Sequence, residues 1–366
     1  MAVSVRPKSN LIFSWLMLAV MTFTSLALPA SVSAVESKPL NLVTSPLPIS
    51  LSVNPGTSTT TDLRVKQMGT GTEKLKISLM KFGAFGDEGK PRLLDRGPGD
   101  THFNWVKFDK VIFDAPSNVW QTVKMTINVP KSAAFGYYYA VVFSRAGDDQ
   151  APVGAEAPTA GFNGGTAVLV LMDAKVPNAK RELSLDSFSA SQRVYEFLPA
   201  TFDVKFKNSG NVHTVPHGNI FIMSGDKQVA SLDLNNQQGN ILPKSSRAFP
   251  VEWQDGFPHF EKVVEDGKVK MDKNNKPVMK LVWTNGGAGA NEVTPHLRFG
   301  KYTAHLFAVY DDGTRDVPME AKIEFWVIPW RFLLVLLVVV LLIGAGVYAA
   351  TRGAVRGMQI FSRRKR

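Results

Sequence analysis

Ile49-Ser50-Leu51-Ser52-Val53-Asn54-Pro55-Gly56 alternates apolar and polar residues with period two and then meets a run of turn residues. Successive side chains of a strand point to opposite faces of a sheet, so this segment reads as a strand with one buried face that stops at a turn. The same reading extends outward along the chain. Leu63 and Val65, then Leu75, Ile77 and Leu79, then Val119, Val123, Met125 and Ile127 with one slip, then Val204 and Phe206 repeat the alternation. Gly69-Thr70-Gly71, Asn208-Ser209-Gly210-Asn211 and Asp311-Asp312-Gly313 punctuate it, at the spacing of about 8 to 12 residues that short strands and tight turns produce. Between Val35 and Ile328 almost nothing carries helical periodicity, and the roughly 290 residues there suffice for two β-sandwiches of ordinary size. The expected fold class is therefore all-β, with two Ig-like sandwiches.

The first sandwich is expected over 35–176. A Gly/Ala/Pro-rich interruption from Ala146 to Gly165 reads as a long exposed loop, and Thr166–Met172 (TAVLVLM) is a continuous apolar run that suits a strand buried on both faces. Pro177 and the charges Lys180, Arg181 and Glu182 mark a linker. The second sandwich is expected over 177–328, opening at Leu183 and carrying an insertion over about 254–298. Within it Phe257 to Trp283 reads as a hairpin or two with Asp266-Gly267 and Asn274-Asn275 at the turns. With the stretch Asn285 to Gly289 it is expected to project from the sandwich, either as a binding elaboration of the kind commonly built on loops or as a tolerated insertion without a partner.

The two ends set the topology. Arg6 and Lys8 precede an uncharged run from Leu11 to Leu28, and Val32 and Ala34 suit a signal-peptidase site, so 1–34 reads as a signal peptide cleaved after Ala34; an uncleaved anchor is the alternative. Phe332 to Ala350 carries no charge and is long enough to cross a hydrocarbon core of about 30 Å as a helix, so 329–351 reads as a transmembrane helix. Trp326 and Trp330 flank it on one side as interfacial aromatics, while Arg352 and Arg356 open a basic tail over 352–366 on the other. Positive flanks stay in the cytoplasm, which places the body outside the plasma membrane as a single-pass ectodomain. The formal net charge is +11, of which the N-terminal flank supplies two and the tail six, leaving three for the rest. The basicity thus belongs to topology and to contact of helix and tail with lipid, and nucleic acid is not an expected partner. With no cysteine, the ectodomain relies on hydrophobic cores and has no thiol chemistry.

Catalytic and ligand motifs are sparse. His213 and His217 have i, i+4 spacing, but Pro216 between them opposes a helix, so they read as structural. Asp148 and Asp149, and Asp311, Asp312 and Asp316, lack the pattern of a calcium loop. No nucleophile, phosphate or dinucleotide fingerprint stands between a strand and a helix, and neither a cofactor nor a metal nor enzymatic activity is expected. The remaining signal is aromatic: Phe135, Tyr137, Tyr138, Tyr139, Phe257 and Phe260 are the candidate ligand surface, because exposed rings serve sugar and protein binding well.

The order of segments resembles the WxL-interacting protein family. The Asn54-Pro55-Gly56 turn, Trp105 in NWVKFDKVIFDAPSN, Val129-Pro130 and Phe135 to Phe143 (FGYYYAVVF) are similar to that family's peptidoglycan-binding domain. Phe206 to His213, Pro216 to Ile220, Ile241 to Phe249 and Trp253 are similar to its other Ig-like module. The insertion and the loop from Ala146 to Gly165 depart from the family pattern. The resemblance implies a non-catalytic, membrane-anchored bacterial surface protein that binds cell-wall glycan or a neighbouring surface protein in adhesion or scaffolding. Two rivals stand beside it: a surface glycan hydrolase using carboxylates of the insertion, and an assembly factor that lends a strand edge to secreted β-proteins.

Overall fold

The computed structural model describes residues 40–147, 165–287 and 294–363. The expected signal peptide with its Ala34 site, most of the Ala146–Gly165 loop with Asp148 and Asp149, residues 288–293 of the insertion and the last three residues of the tail lie outside the described residues.

The chain forms two Ig-like β-sandwiches followed by one long helix. In the first sandwich, one sheet runs in the order β1 (Leu42–Ser45), β3 (Ser58–Gln67), β8 (Trp120–Asn128), β6 (Val106–Phe108). The facing sheet runs β2 (Ile49–Val53), β10 (Gly165–Ala174), β9 (Gly136–Arg145), β4 (Thr72–Phe85), β5 (Lys90–Leu94), with β7 (Ile112–Pro116) on the first part of β4. The two prolines Pro46 and Pro48 break the leading strand: β1 pairs antiparallel with β3, and β2 then crosses to pair in parallel with β10. Proline cannot continue a ladder, so it is a natural place for a strand to change sheets. Leu63, Val65, Leu75, Val123, Met125, Ile127, Tyr139 and Phe143 meet between the sheets with no exposed surface, which is why these positions alternate in the sequence.

In the second sandwich, β11 (Leu183–Ala190), β13 (Ala200–Asn208) and β16 (Ser246–Trp253) face β12 (Val194–Tyr195), β22 (Asp316–Val327), β21 (Gly300–Asp311), β14 (His217–Ser224) and β15 (Lys227–Leu234). The leading strand again splits, β11 pairing antiparallel with β13 and β12 in parallel with the end of β22. Phe202, Phe206, Trp253 and Phe325 are fully buried, with Trp253 edge-on to Tyr302 at 5.1 Å and to Phe325 at 6.0 Å. Such pairs add to area burial the favourable alignment of ring edge and ring face.

Asn208 ties the end of β13 to two loops. Its Nδ2 donates to the carbonyls of Val212 and Ile241, both at 2.9 Å, and its Oδ1 accepts the Gly210 N–H at 2.9 Å. Neither Gly210 nor Asn211 in the turn Asn208–Asn211 adopts positive φ. A side chain at Gly210 would strike the carbonyl of Lys180, so the glycine permits close approach of the linker.

The insertion forms an arm of two small antiparallel pairs, β17 (His259–Lys262) with β20 (Met279–Val282) and β18 (Val264–Glu265) with β19 (Lys268–Val269). Asp266 and Gly267 both have positive φ, 51° and 74°, as a two-residue hairpin turn requires. Helix α1 spans Trp330–Arg363, and its segment Trp330–Arg352, whose most apolar stretch of 18 residues has mean hydropathy 2.9, is long and apolar enough to cross a membrane. The helix runs on through Arg352 and Arg356 to Arg363, so most of the tail expected as a simple basic extension is helical; no proline interrupts it.

Candidate functional site

The most distinctive cavity lies where the two sandwiches meet. The turn of the β4–β5 hairpin is Gly86-Asp87-Glu88-Gly89, with both glycines at positive φ (62° and 68°), so the tip reverses tightly and carries its acidic residues outward. The tip lies along β16: the Ala248 N–H donates to the Asp87 carbonyl at 2.6 Å, and Lys205 Nζ sits 2.8 Å from Asp87 Oδ2 and 3.4 Å from Asp186 Oδ2. The hydrogen bond to Asp87 pushes the Lys205 amine above its ordinary value. The Ala248 N–H faces away from β13, so the same edge presents Pro250 two residues on, a residue with no N–H to offer. Further pairing along β16 is thereby blunted.

Behind the tip opens a cleft of about 380 Å³. Its wall on the first sandwich includes Phe82, Leu169 and Leu171, and its wall on the second is the loop Gln237–Leu242 with Ser245–Arg247. The apolar wall is the outer face of the β2–β5 sheet. Met80, Phe82, Leu93, Ala140, Val142, Ala167, Leu169 and Leu171 are buried there, against Tyr138 and Leu242. All ten residues of β10 are buried, and Val168 and Val170 belong to the inner core while Ala167, Leu169 and Leu171 belong to this outer layer. That is the physical content of the unbroken TAVLVLM run.

Arg247 crosses the mouth of the cleft. It passes so close over Gly89 and Gly239 that a side chain at either would collide with the guanidinium. Nη1 donates to the Asn240 carbonyl at 2.9 Å, the guanidinium lies 5.1 Å from the centre of the Phe249 ring, and Nε is buried without a hydrogen-bond partner. Burial lowers the Arg247 pKa from its ordinary value, though an arginine stays charged at any pH a cell meets.

A second contact between the sandwiches centres on Asp173 at the end of β10. Arg181 Nη2 lies 3.2 Å from its Oδ2 and His213 Nδ1 3.1 Å from its Oδ1, the latter too far off line to be a hydrogen bond, so both atoms are left unsatisfied. Tyr138 stands edge-on to His213 at 5.9 Å, and desolvation, with the Asp173 charge behind it, pushes its phenol far up.

The candidate aromatics are dispersed. Tyr139 is fully buried in the first core; Tyr137 is half-buried, edge-on to Trp105 at 4.7 Å, with its hydroxyl accepting the Ala134 N–H. Tyr138 faces the outer layer against Phe82, and Phe135 is exposed at positive φ. Phe257 and Phe260 sit on the second sandwich, edge-on to Trp283 and Phe197 respectively. Trp326 and Trp330 are exposed beside the first turn of α1; Arg352 ends the apolar segment, and the side chain of Arg356 lies outside the described residues.

His217 starts β14 while His213 sits in the loop by Asp173, and among the described residues no cluster of His, Asp or Glu could hold a metal ion. Asp311 and Asp312 make turn bonds, Asp311 accepting the Gly313 N–H at 2.7 Å and Asp312 those of Thr314 and Arg315 at 2.8 and 3.0 Å. A cleft beside the arm holds Glu252 of β16 and Glu261 of the insertion. Burial pushes Glu252 up, but hydrogen bonds from Lys262 and Gln254 outweigh it, and the bond to His259 with the nearby Lys280 lowers Glu261. A general acid needs a raised pKa, and both carboxyls go the other way. Arg247, Gly89 and Asp173 carried no functional signal in the sequence, because their partners come from the other sandwich and no local spacing encodes them.

No family model and no curated protein sequence matches the chain. Among solved structures it is similar to the CsuC–CsuE chaperone–tip adhesion subunit pre-assembly complex of Acinetobacter baumannii Csu pili. The identity is 10%, over 76% of this chain and 97% of that one, with a TM-score of 0.33. The class 5 fimbriae chaperone CfaA gives 17% identity over 66% and 98% of the two chains, TM-score 0.31. The CupB2 chaperone of Pseudomonas aeruginosa gives 8% over 77% and 100%, TM-score 0.30. Nothing about activity or partners carries over from similarities of this degree.

Proposed function

We propose that this chain is a non-catalytic, membrane-anchored bacterial surface protein, of the general kind the WxL-interacting resemblance implies, and that it binds an extended segment of a neighbouring exported protein in the cleft between its sandwiches. The observation that carries the reading is the pairing of an apolar cleft wall with the guanidinium of Arg247 at its mouth. An extended peptide offers apolar side chains on one side of its backbone and carbonyls along its edge, so it matches both features. Cell-wall glycan is the less supported ligand, since sugar platforms need exposed rings side by side and the six candidate aromatics are spread over two sandwiches, with Tyr139 buried and Tyr138 half-buried.

The test places a photo-crosslinking amino acid at Leu242 in the cleft and, as control, at Phe260 on the arm, in full-length protein in its native envelope. A crosslink to one exported protein from position 242, absent from 260 and weakened several-fold by Arg247→Met with unchanged circular dichroism, is the expected result. Retention on purified sacculi without a cleft crosslink would replace the reading with the glycan one.

A further inference from the structure

The loop entering β21 inverts the usual rule for a soluble surface. His296 and Arg298 turn inward: His296 Nδ1 is hydrogen-bonded to the Asp255 carboxylate, and Arg298 donates to the Asp255 carbonyl at 3.0 Å and to its carboxylate. The intervening apolar residues turn out, with Leu297 72% and Phe299 61% exposed. The loop is held in this pose from behind, by Asn285 bonded to the Thr294 carbonyl at 2.8 Å and to the His296 N–H at 3.0 Å. Beside them Trp283, at the end of the arm, is 62% exposed. Half-burying polar side chains while presenting leucine and phenylalanine to water is costly, and it is sensible only where the medium outside is apolar.

These residues meet the membrane segment directly. Phe257, Trp283, Leu297 and Phe299 line a cleft of about 350 Å³ together with Phe332 and Leu333 of the first turn of α1, and its wall is almost wholly apolar. Phe332 and Leu333 belong to the segment that can cross a membrane, so the cleft opens at the level where the hydrocarbon begins. The connection is too short and too well tied to let the sandwich tilt away. Only Ile328 and Pro329 separate β22 from α1, the Ile328 N–H donates to the Tyr195 carbonyl at 2.7 Å, and Arg331 lies 3.5 Å from Glu196.

The geometry points to a second membrane attachment: Leu297, Phe299 and Trp283 insert into the lipid of the leaflet nearest the second sandwich, and an acyl chain fills the cleft beside Phe332. The helix is then a post with a foot. Interfacial insertion of this kind reaches about 5–10 Å into the headgroup and acyl boundary, which fixes the sandwich's orientation as well as its height.

This rests on the membrane-anchored reading above, and the test separates the two. The chain has no cysteine, so single cysteines carry nitroxide labels without further changes. Full-length Leu297→Cys, Phe299→Cys, Leu337→Cys in mid-helix and Val264→Cys at the arm's far turn are labelled and reconstituted in phosphatidylcholine vesicles. Collision rates with oxygen, which concentrates in lipid, are compared with those of a water-soluble nickel complex. Positions 297 and 299 should resemble 337, with oxygen collisions exceeding nickel collisions several-fold, and 264 should show the reverse. Labels at 297 and 299 that behave like 264 while 337 reads as lipid overturn the foot and leave the anchor. A water-exposed 337 overturns the anchor itself. Immobilised labels at 297 and 299, shielded from both reagents, show a second copy or another protein on this surface and also overturn the proposal.

Discussion

Both sandwiches split their leading strand between two sheets, β1 to β2 and β11 to β12, yet the first buries its larger sheet on both faces while the second has one core and exposed outer faces. The same topology thus yields a platform in one case and a pedestal in the other. The difference is carried by residues of opposite parity: Leu169 and Leu171 add an apolar outer layer to β10, whereas Glu320, Lys322 and Glu324 hold the corresponding positions of β22 exposed. A period-two strand therefore specifies its core with one parity and its neighbours with the other.

The largest expected effect separates the two faces of the first sandwich. Phe143→Ala, on the inner face, should destabilise by about 3–5 kcal/mol in denaturant unfolding of the detergent-solubilised chain. Phe82→Ala, on the outer face, should cost about 2 kcal/mol, because it enlarges a cleft already open to solvent and leaves no sealed cavity. Equal losses would mean that the outer layer is a core in its own right and would break the distinction.

A smaller effect concerns how the two sandwiches are joined. Gly89→Ala places a side chain at positive φ and against the Arg247 guanidinium, and should cost about 1–2 kcal/mol. Its signature is loss of protection of the Ala248 amide in hydrogen exchange while the amides of β9 stay protected. Uniform loss across the first sandwich would show that the hairpin tip serves the fold and not the junction.

The smallest effect is an acid sensitivity that both sandwiches share. Asp100 is held below the ordinary aspartate value first by the Gly97 N–H and then by Lys81, and Asp312 first by the Thr314 hydroxyl and then by backbone N–H groups. A carboxyl lowered on folding contributes stability above its unfolded value and loses it as pH falls through the folded one. Stability should therefore be flat near neutrality and decline below about pH 4, with Asp100→Asn and Asp312→Asn each shallowing the decline. Carboxyl-carbon titration that finds either group at or above the ordinary value would remove that group from the account.

The alternation at Leu63 and Val65, at Leu75 and Ile77, and at Val204 and Phe206 was legible because one-sided burial writes itself directly into the chain. The TAVLVLM run also signalled its second buried face, and the apolar helix was plain from length and charge. The cleft was not legible. Arg247 is one basic residue in a polar stretch, and its importance comes from Gly89, which reaches it only when the sandwiches are joined, while the neighbouring Asp87 bonds the next residue, Ala248. The placing of Tyr137 to Tyr139 was not legible for a related reason: aromatic content says nothing of which face looks onto solvent, and here one face is core and the other is the outer layer. The inverted loop His296–Phe299 was hidden because its charged residues find Asp255 across the arm, a pairing no local pattern encodes.

The two-residue step from β22 to α1 also determines how the molecule bears load. β12 continues the direction of β11 and runs parallel to β22, so Leu183, where the second sandwich begins, and Val327, where it leaves for the membrane, lie at opposite ends. Tension between the bilayer and whatever holds the first sandwich is then directed lengthwise along these strands. The β12–β22 bonds and the long β21–β22 ladder meet it in shear, where hydrogen bonds must fail together, and not in the peeling mode that opens them one at a time.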